Sequence, residues 1–142
     1  MIFVLDASAI LRFTDREPGF DHIRLLLLEA AQGSTRLLIS AVNWGEIVAV
    51  LYKKDNRTAE TILGNLAALP INVVAVDAGS ATEAGEFKWT HNVPYADAFA
   101  GSLTARCSRS GNKSDQATLV TADYDFKNVT KGTIRIEFLP SK

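Results

Sequence analysis

The sequence has one cysteine, two histidines and no long apolar run among its 142 residues. A single cysteine excludes an intrachain disulfide, and a membrane-spanning helix would need about 20 consecutive apolar residues. The opening run MIFVLDAS is too short, and too uncharged at its start, for a secretion signal. We therefore expect a cytoplasmic protein that has no membrane partner.

A strong net charge of either sign is also missing. The 15 basic and 16 acidic residues leave a formal charge of −1, so no global positive field attracts nucleic acid. This disfavours a protein that coats nucleic acid regardless of sequence, but it allows an enzyme that grips one through a local patch and metal ions. No segment matches a phosphate-binding loop or a dinucleotide fingerprint, and the histidines have no metal-ligand spacing.

Apolar residues make up 47% of the chain, which is ample for a core. The length suits one domain over residues 1–142. Short apolar runs predict strands at 2–5, 36–39, 72–76, 118–121 and 133–138.

Helical spacing fills the intervals between these strands. The predicted helices begin near 8, 20, 41, 58, 78 and 94, with Ser40 and Asp77 as N-caps, and a polar loop is predicted at 110–116. Strands separated by helices pair in parallel through right-handed crossovers. The sequence therefore predicts an α/β fold, a three-layer α/β/α sandwich around a central parallel sheet of four to five strands.

Four carboxylates interrupt segments that otherwise have the composition of a core: Asp6, Glu46, Asp97 and Asp123. An ionised carboxylate is costly to bury unless it is paired or bound to a metal. Two of the four follow predicted strands, and sites in such folds lie beyond the carboxyl ends of the strands. If all four converge they need a cation, and oxygen ligands select Mg²⁺ or Mn²⁺ over zinc.

Each acid also has a simpler explanation. Asp6 can cap a helix, Glu46 can face solvent near Lys53, and Asp97 can complement a helix dipole. Asp123 can form a turn. For Asp97 a second pattern favours a site, because the small residues at 101, 104 and 108 follow it on one helical face and predict an open cleft.

The motifs VLDAS, SAVNWGEI, PYADAFA and TLVTADYDF, in this order, resemble the PIN-domain family over essentially the whole chain, and within it the VapC-type toxins of toxin–antitoxin pairs. The resemblance implies a metal-dependent endoribonuclease that hydrolyses RNA phosphodiester bonds with a metal-activated water. It also implies a cognate antitoxin, a homodimer, and Mg²⁺ or Mn²⁺ as cofactor. The implied catalytic and metal-binding acids are Asp6, Glu46, Asp97 and Asp123, with Ser8, Thr121 and Asp125 around them.

Basic residues offer candidate substrate contacts. We expect Arg12, Lys53 and Lys54 to hold RNA phosphates, although solvated surface is the simpler explanation for each. Two alternatives to a nuclease stay open. One is a PIN-like binding module without nuclease activity, and the other is an acidic-site phosphotransfer or phosphatase domain. The second would need another acid two residues after the first, where this chain has Ser8, or paired N-terminal acids and a late lysine.

Overall fold

The structure is a computed structural model that describes residues 1–110 and 116–142. Most of the polar loop predicted at 110–116 falls outside the described residues. The strands are β1 (Ile2–Leu5), β2 (Arg36–Ser40), β3 (Ile71–Val74), β4 (Ala117–Thr121) and β5 (Arg135–Phe138). The helices are α1 (Ala7–Thr14), α2 (Phe20–Ala31), α3 (Ala41–Lys54), α4 (Ala59–Ala67), α5 (Ala78–His91) and α6 (Tyr95–Cys107).

The five strands form one sheet in the order β3-β2-β1-β4-β5, and every neighbouring pair is parallel. The predicted α/β sandwich with its parallel sheet is thus confirmed. The chain moves outward from β1 in one direction to β3, and then returns to the other side of β1 for β4 and β5. The reversal lies between β1 and β4, and sites of such folds form in the crevice beyond the carboxyl ends of the strands at this point.

The central strand β1 is buried on both faces, as its apolar run predicts. Phe3 and Leu5 pack into the cluster beneath α1 to α4, whereas Val4 packs into the cluster beneath α5 and α6. This alternation follows from the two-residue period of a strand. The two clusters pack against both faces of β1. Asp6, which directly follows β1, is therefore held in a fixed position at the edge of the crevice.

Side-chain caps set the helix starts as expected. Ser40 Oγ accepts a hydrogen bond from the Val42 amide at 3.2 Å, at the start of α3. Asp77 begins α5 with a reciprocal capping box, in which its carboxylate accepts from the Ser80 amide and its own amide donates to Ser80 Oγ, both at 2.8 Å. Among residues 1–110 and 116–142, no helix has the length and apolarity needed to cross a bilayer.

Gly101 allows α5 and α6 to pack closely, and this corrects the expectation of an open cleft along α6. A Cβ at position 101 would lie 2.4 Å from Cζ of Phe87, so the phenyl ring occupies the space that the glycine leaves. Thr104, on the same face, is buried and donates to the Ala100 carbonyl at 2.8 Å. The small residues of α6 therefore serve helix packing.

Candidate metal centre

Asp6 lies where β1 ends and α1 begins. It is 2% exposed, and it caps α1 by accepting from the Ala9 amide at 3.0 Å through Oδ1. The same oxygen accepts from Ser8 Oγ at 2.7 Å, and Oδ2 accepts from Thr121 Oγ1 at 2.5 Å. The capping explanation for Asp6 therefore holds, but it describes only part of the environment of this carboxylate.

The hydroxyls of Ser8 and Thr121 join the ends of β1 and β4. Ser8 Oγ accepts from the Ala122 amide at 2.8 Å, and Thr121 Oγ1 accepts from the Asp123 amide at 2.9 Å. Both hydroxyls donate to Asp6, and their oxygens lie 3.2 Å apart. This network fixes the start of the segment that carries Asp123 relative to Asp6.

Three carboxylates meet on the α6 side of the crevice. One oxygen each from Asp97, Asp123 and Asp125 lies within 4.8 Å of the other two. Asp123 precedes the 3₁₀ turn Tyr124–Asn128 and accepts from the Asp125 amide at 2.9 Å. That tight turn brings the exposed Asp125 back toward Asp97, although sequence reasoning assigned Asp125 only an outer position.

Asp97 occupies the first turn of α6 and is 9% exposed. Its Oδ2 atom is buried and has no hydrogen-bond partner in the described part of the chain. A buried carboxylate oxygen without a donor is unfavourable. The atom lies beside two other carboxylates, so the cluster has to be neutralised, either by a proton that Asp97 shares with Asp123 or by a cation.

Glu46 faces α6 across a buried asparagine. Asn43 Nδ2 donates to Glu46 Oε1 at 2.9 Å and to the carbonyl of Ala96 at 3.0 Å. Within the described residues Glu46 has no ion pair with Lys53, the solvent-facing pairing that its helix position allowed. Asn43 was missed as a functional candidate, although its spacing of three from Glu46 places both side chains on one helical face.

The electrostatics of the acids reflect their proximity. The pKa of Asp6 is raised to about 6, chiefly by burial and to a smaller extent by the charge of Asp123, against the lowering effect of hydrogen bonds from Thr121, Ser8 and Ala9. Burial raises the pKa of Asp97 to about 8, followed by the effects of Asp123, Asp6 and Glu46. Without a cation, Asp97 is therefore mostly protonated at neutral pH.

Two of the three predicted basic contacts, Arg12 and Lys54, are engaged with other groups of the protein. Arg12 is 8% exposed, and its Nη1 donates to the carbonyls of Pro18 at 2.7 Å and Pro140 at 2.6 Å. This corrects the expectation that Arg12 holds a substrate phosphate, because its guanidinium ties the α1–α2 turn to the C-terminal segment. Lys54 pairs with Asp15 at 2.8 Å, and Lys53 is exposed in the last turn of α3.

Comparison with known families decides the identity of this arrangement. The family model described as PIN domain matches residues 3–132, which include all the acids described above. The chain belongs to the PIN-domain family. No curated protein sequence matches the chain significantly.

Solved structures share the PIN fold at low sequence identity. VapBC2 from Rickettsia felis, crystallised with a DNA fragment from its promoter, aligns with a TM-score of 0.73 and 18% identity, over 99% of this chain and 100% of that one. VapC20 from Mycobacterium tuberculosis, a sarcin–ricin loop cleaving toxin, aligns with a TM-score of 0.62 and 18% identity, over 95% of this chain and 99% of that one. FitAcB from Neisseria gonorrhoeae gives 0.59 and 19%, over 96% of each chain.

The acids of this PIN domain have the chemistry of a divalent metal site. The donors are carboxylate oxygens, which suit hard cations such as Mg²⁺ and Mn²⁺. The unpartnered Oδ2 of Asp97 is an atom that a cation would satisfy. The acidic cluster is thus consistent with the metal site of a PIN nuclease.

Proposed function

We propose that this PIN domain, spanning residues 1–142, is a Mg²⁺- or Mn²⁺-dependent endoribonuclease and the toxin of a toxin–antitoxin pair. The observation that supports the proposal best is the buried, unpartnered Oδ2 of Asp97 beside Asp123 and Asp125. Three carboxylates within 4.8 Å repel one another, and they become favourable together only when protons or a cation neutralise them. Of these two ways to neutralise the cluster, only a bound cation would also promote the hydrolysis of a phosphodiester bond.

The proposed ligands are Asp97, Asp123 and Asp125, with Asp6 and Glu46 as the remaining acids of the site. Asp6 is held rigidly by three donors, so it presents a fixed charge at the end of β1. Ser8 and Thr121 act through Asp6 by fixing its orientation. When bound, the cation supplies the positive charge that attracts a phosphate, acidifies a water molecule and stabilises the leaving oxygen.

The protein's own groups then have separate tasks during hydrolysis. With a cation bound, Asp97 would release its proton to solvent and, with Asp123, would orient a water whose oxygen attacks phosphorus as the P–O bond to the leaving nucleotide breaks. The proton that this water loses would pass to solvent, and the leaving oxygen would take one up from solvent. The carboxylates bind the cation and not the RNA, because they would repel phosphates. Lys53, exposed at the end of α3, is the remaining candidate for a phosphate contact.

The proposed protein partner is an antitoxin. A toxin–antitoxin complex from Klebsiella pneumoniae is among the solved structures with this fold. In this chain an open groove between α1, α2 and α4 is lined mainly by apolar side chains, among them Phe13, Phe20, Ile62, Leu66 and Leu69. We propose that the antitoxin binds in this groove. We also propose that the free toxin is a homodimer, and light scattering with and without antitoxin measures both assemblies.

The decisive experiment is cleavage of a mixed RNA pool by purified protein with Mn²⁺, with Mg²⁺ and with EDTA. We expect metal-dependent cleavage, lost with EDTA and reduced at least 100-fold in Asp97→Asn. Asp21→Asn is the matched control, because Asp21 is exposed in the first turn of α2, outside the crevice. Binding of RNA or antitoxin without cleavage in either metal would identify a binding module instead. Covalent labelling by acetyl phosphate would identify a phosphotransfer domain.

A further inference from the structure

Asn43 is a polar side chain in a position that would otherwise suit an apolar one. It lies in the first turn of α3 and is 0% exposed. Its Nδ2 group uses both of its protons, one toward Glu46 Oε1 and one toward the carbonyl of Ala96. Because Ala96 directly precedes Asp97, this one amide connects the elements that carry two of the site's acids.

The hydrogen-bond partners determine which way the amide faces. Both neighbours are acceptors, so only the nitrogen of Asn43 can point toward them, and the reverse orientation would place Oδ1 against two oxygens. In the observed orientation Oδ1 is buried without a partner in the described part of the chain. Such an acceptor destabilises the fold. The unpartnered oxygen offsets part of what the two donated hydrogen bonds contribute to stability, and one of these bonds is directed at an acid of the site.

We infer that Asn43 is a positioning residue that holds the Glu46 carboxylate toward Asp97 and so raises the affinity of the site for a divalent cation. The inference rests on the proposed function. Without the amide, Glu46 is a partly exposed side chain with several free rotamers, and it loses entropy each time it turns toward a bound cation. With the amide, one carboxylate oxygen is already held and the other stays available. Partners of this kind contribute about 10- to 100-fold to metal affinity.

The test is a double-mutant cycle on Mn²⁺ affinity, measured by titration calorimetry of metal-free protein. Asn43→Leu keeps the size of the side chain and removes both donors. We expect it to weaken Mn²⁺ binding at least tenfold in the natural background, and less than twofold in a Glu46→Ala background, because Asn43 acts through Glu46. Asn72→Leu, at an exposed position of β3, is the matched control and should leave the dissociation constant unchanged.

Two results would overturn the inference. One is an unchanged Mn²⁺ affinity in Asn43→Leu, and the other is an equal loss in both backgrounds, which would indicate a general structural role. If Asn43→Leu fails to fold by circular dichroism, Asn43→Ala takes its place in the same cycle, because it also removes both donors and has no bulk that could clash. A selective fall in kcat for RNA, with KM within twofold, is the expected kinetic result.

The outcomes separate the inference from the function on which it rests. Wild-type protein that binds Mn²⁺ with the expected cycle but cuts no RNA would refute the nuclease and leave the positioning role intact. Wild-type protein that cuts RNA while Asn43→Leu binds Mn²⁺ normally would refute only the positioning role. Wild-type protein that binds neither Mn²⁺ nor Mg²⁺ would refute both.

Discussion

Replacing Asp97 by asparagine should stabilise the metal-free protein while it abolishes the metal site. In the native state the pKa of Asp97 is raised from 3.8 to about 8, so at pH 7 the carboxyl must take up a proton on folding. At about 1.36 kcal/mol per pKa unit, this costs up to about 4 kcal/mol at pH 7. Asparagine is neutral in both states, and its amide can donate to the neighbouring Asp123.

We expect a gain on the order of 2 kcal/mol in the free energy of unfolding. This is less than the upper estimate of about 4 kcal/mol, because structural relaxation and solvent around the partly exposed acids weaken the electrostatic cost. For a chain of this size that is a rise of roughly 4 to 8 °C in Tm. The sign follows from linkage. A raised acid pKa gives stability that is complete below pH 3.8 and lost as pH rises through about 8. The advantage of the variant should therefore grow between pH 4 and pH 8.

Urea denaturation in EDTA, repeated with Mn²⁺, measures both parts of this prediction. Mn²⁺ at 100 times its dissociation constant should add about 2.7 kcal/mol to the free energy of unfolding of the wild type and almost nothing to that of Asp97→Asn. With Mn²⁺ the wild type should therefore be at least as stable as the variant. Asp21→Asn should follow the wild type in both conditions. A variant less stable than wild type in EDTA, or one that gains equally from Mn²⁺, would refute the reasoning.

Three further predictions follow from the packing and the charges. Gly101→Ala puts a Cβ 2.4 Å from the Phe87 ring and should cost about 1 to 3 kcal/mol by denaturation, whereas Gly85→Ala, with open space around it, should gain up to about 1. Arg12→Met should lower the free energy of unfolding by about 2 to 3 kcal/mol and leave KM for RNA within twofold of the wild type. A rise in KM without a loss of stability would instead support a phosphate contact by Arg12. Mn²⁺ affinity should increase from pH 6 to pH 8, because binding displaces the proton of Asp97, and a flat titration series would contradict this.

Much of the fold could be predicted because its signals are local. The apolar run of β1, the cap at Ser40 and the capping box at Asp77 each act within a few residues. The ends of elements were less accurate where turns intervene. The strand predicted at 133–138 begins only at Arg135, because the amide of Thr133 turns back to the carbonyl of Thr130 at 3.1 Å.

The candidate site could be predicted where strand order alone brings residues together, as with Asp6 and Asp123. Contacts between distant segments could not. The partner of Arg12 at Pro140 is 128 residues away, and no local pattern indicates it. Asp125 approaches Asp97 through a 3₁₀ turn, and Asn43 faces inward because α6 packs against α3. Each depends on how separate elements meet in three dimensions.

The position of β1 at the centre of the sheet has a consequence for synthesis on the ribosome. Thr121, which donates a hydrogen bond to Asp6, lies 115 residues after it in the chain. A nascent chain can pair β1 with β2 early, while the other edge of β1 waits for β4. The hydrogen bond from Thr121 that orients Asp6, and with it the pairing of Asp6 with the segment that carries Asp123, can therefore form only after β4 has been synthesised.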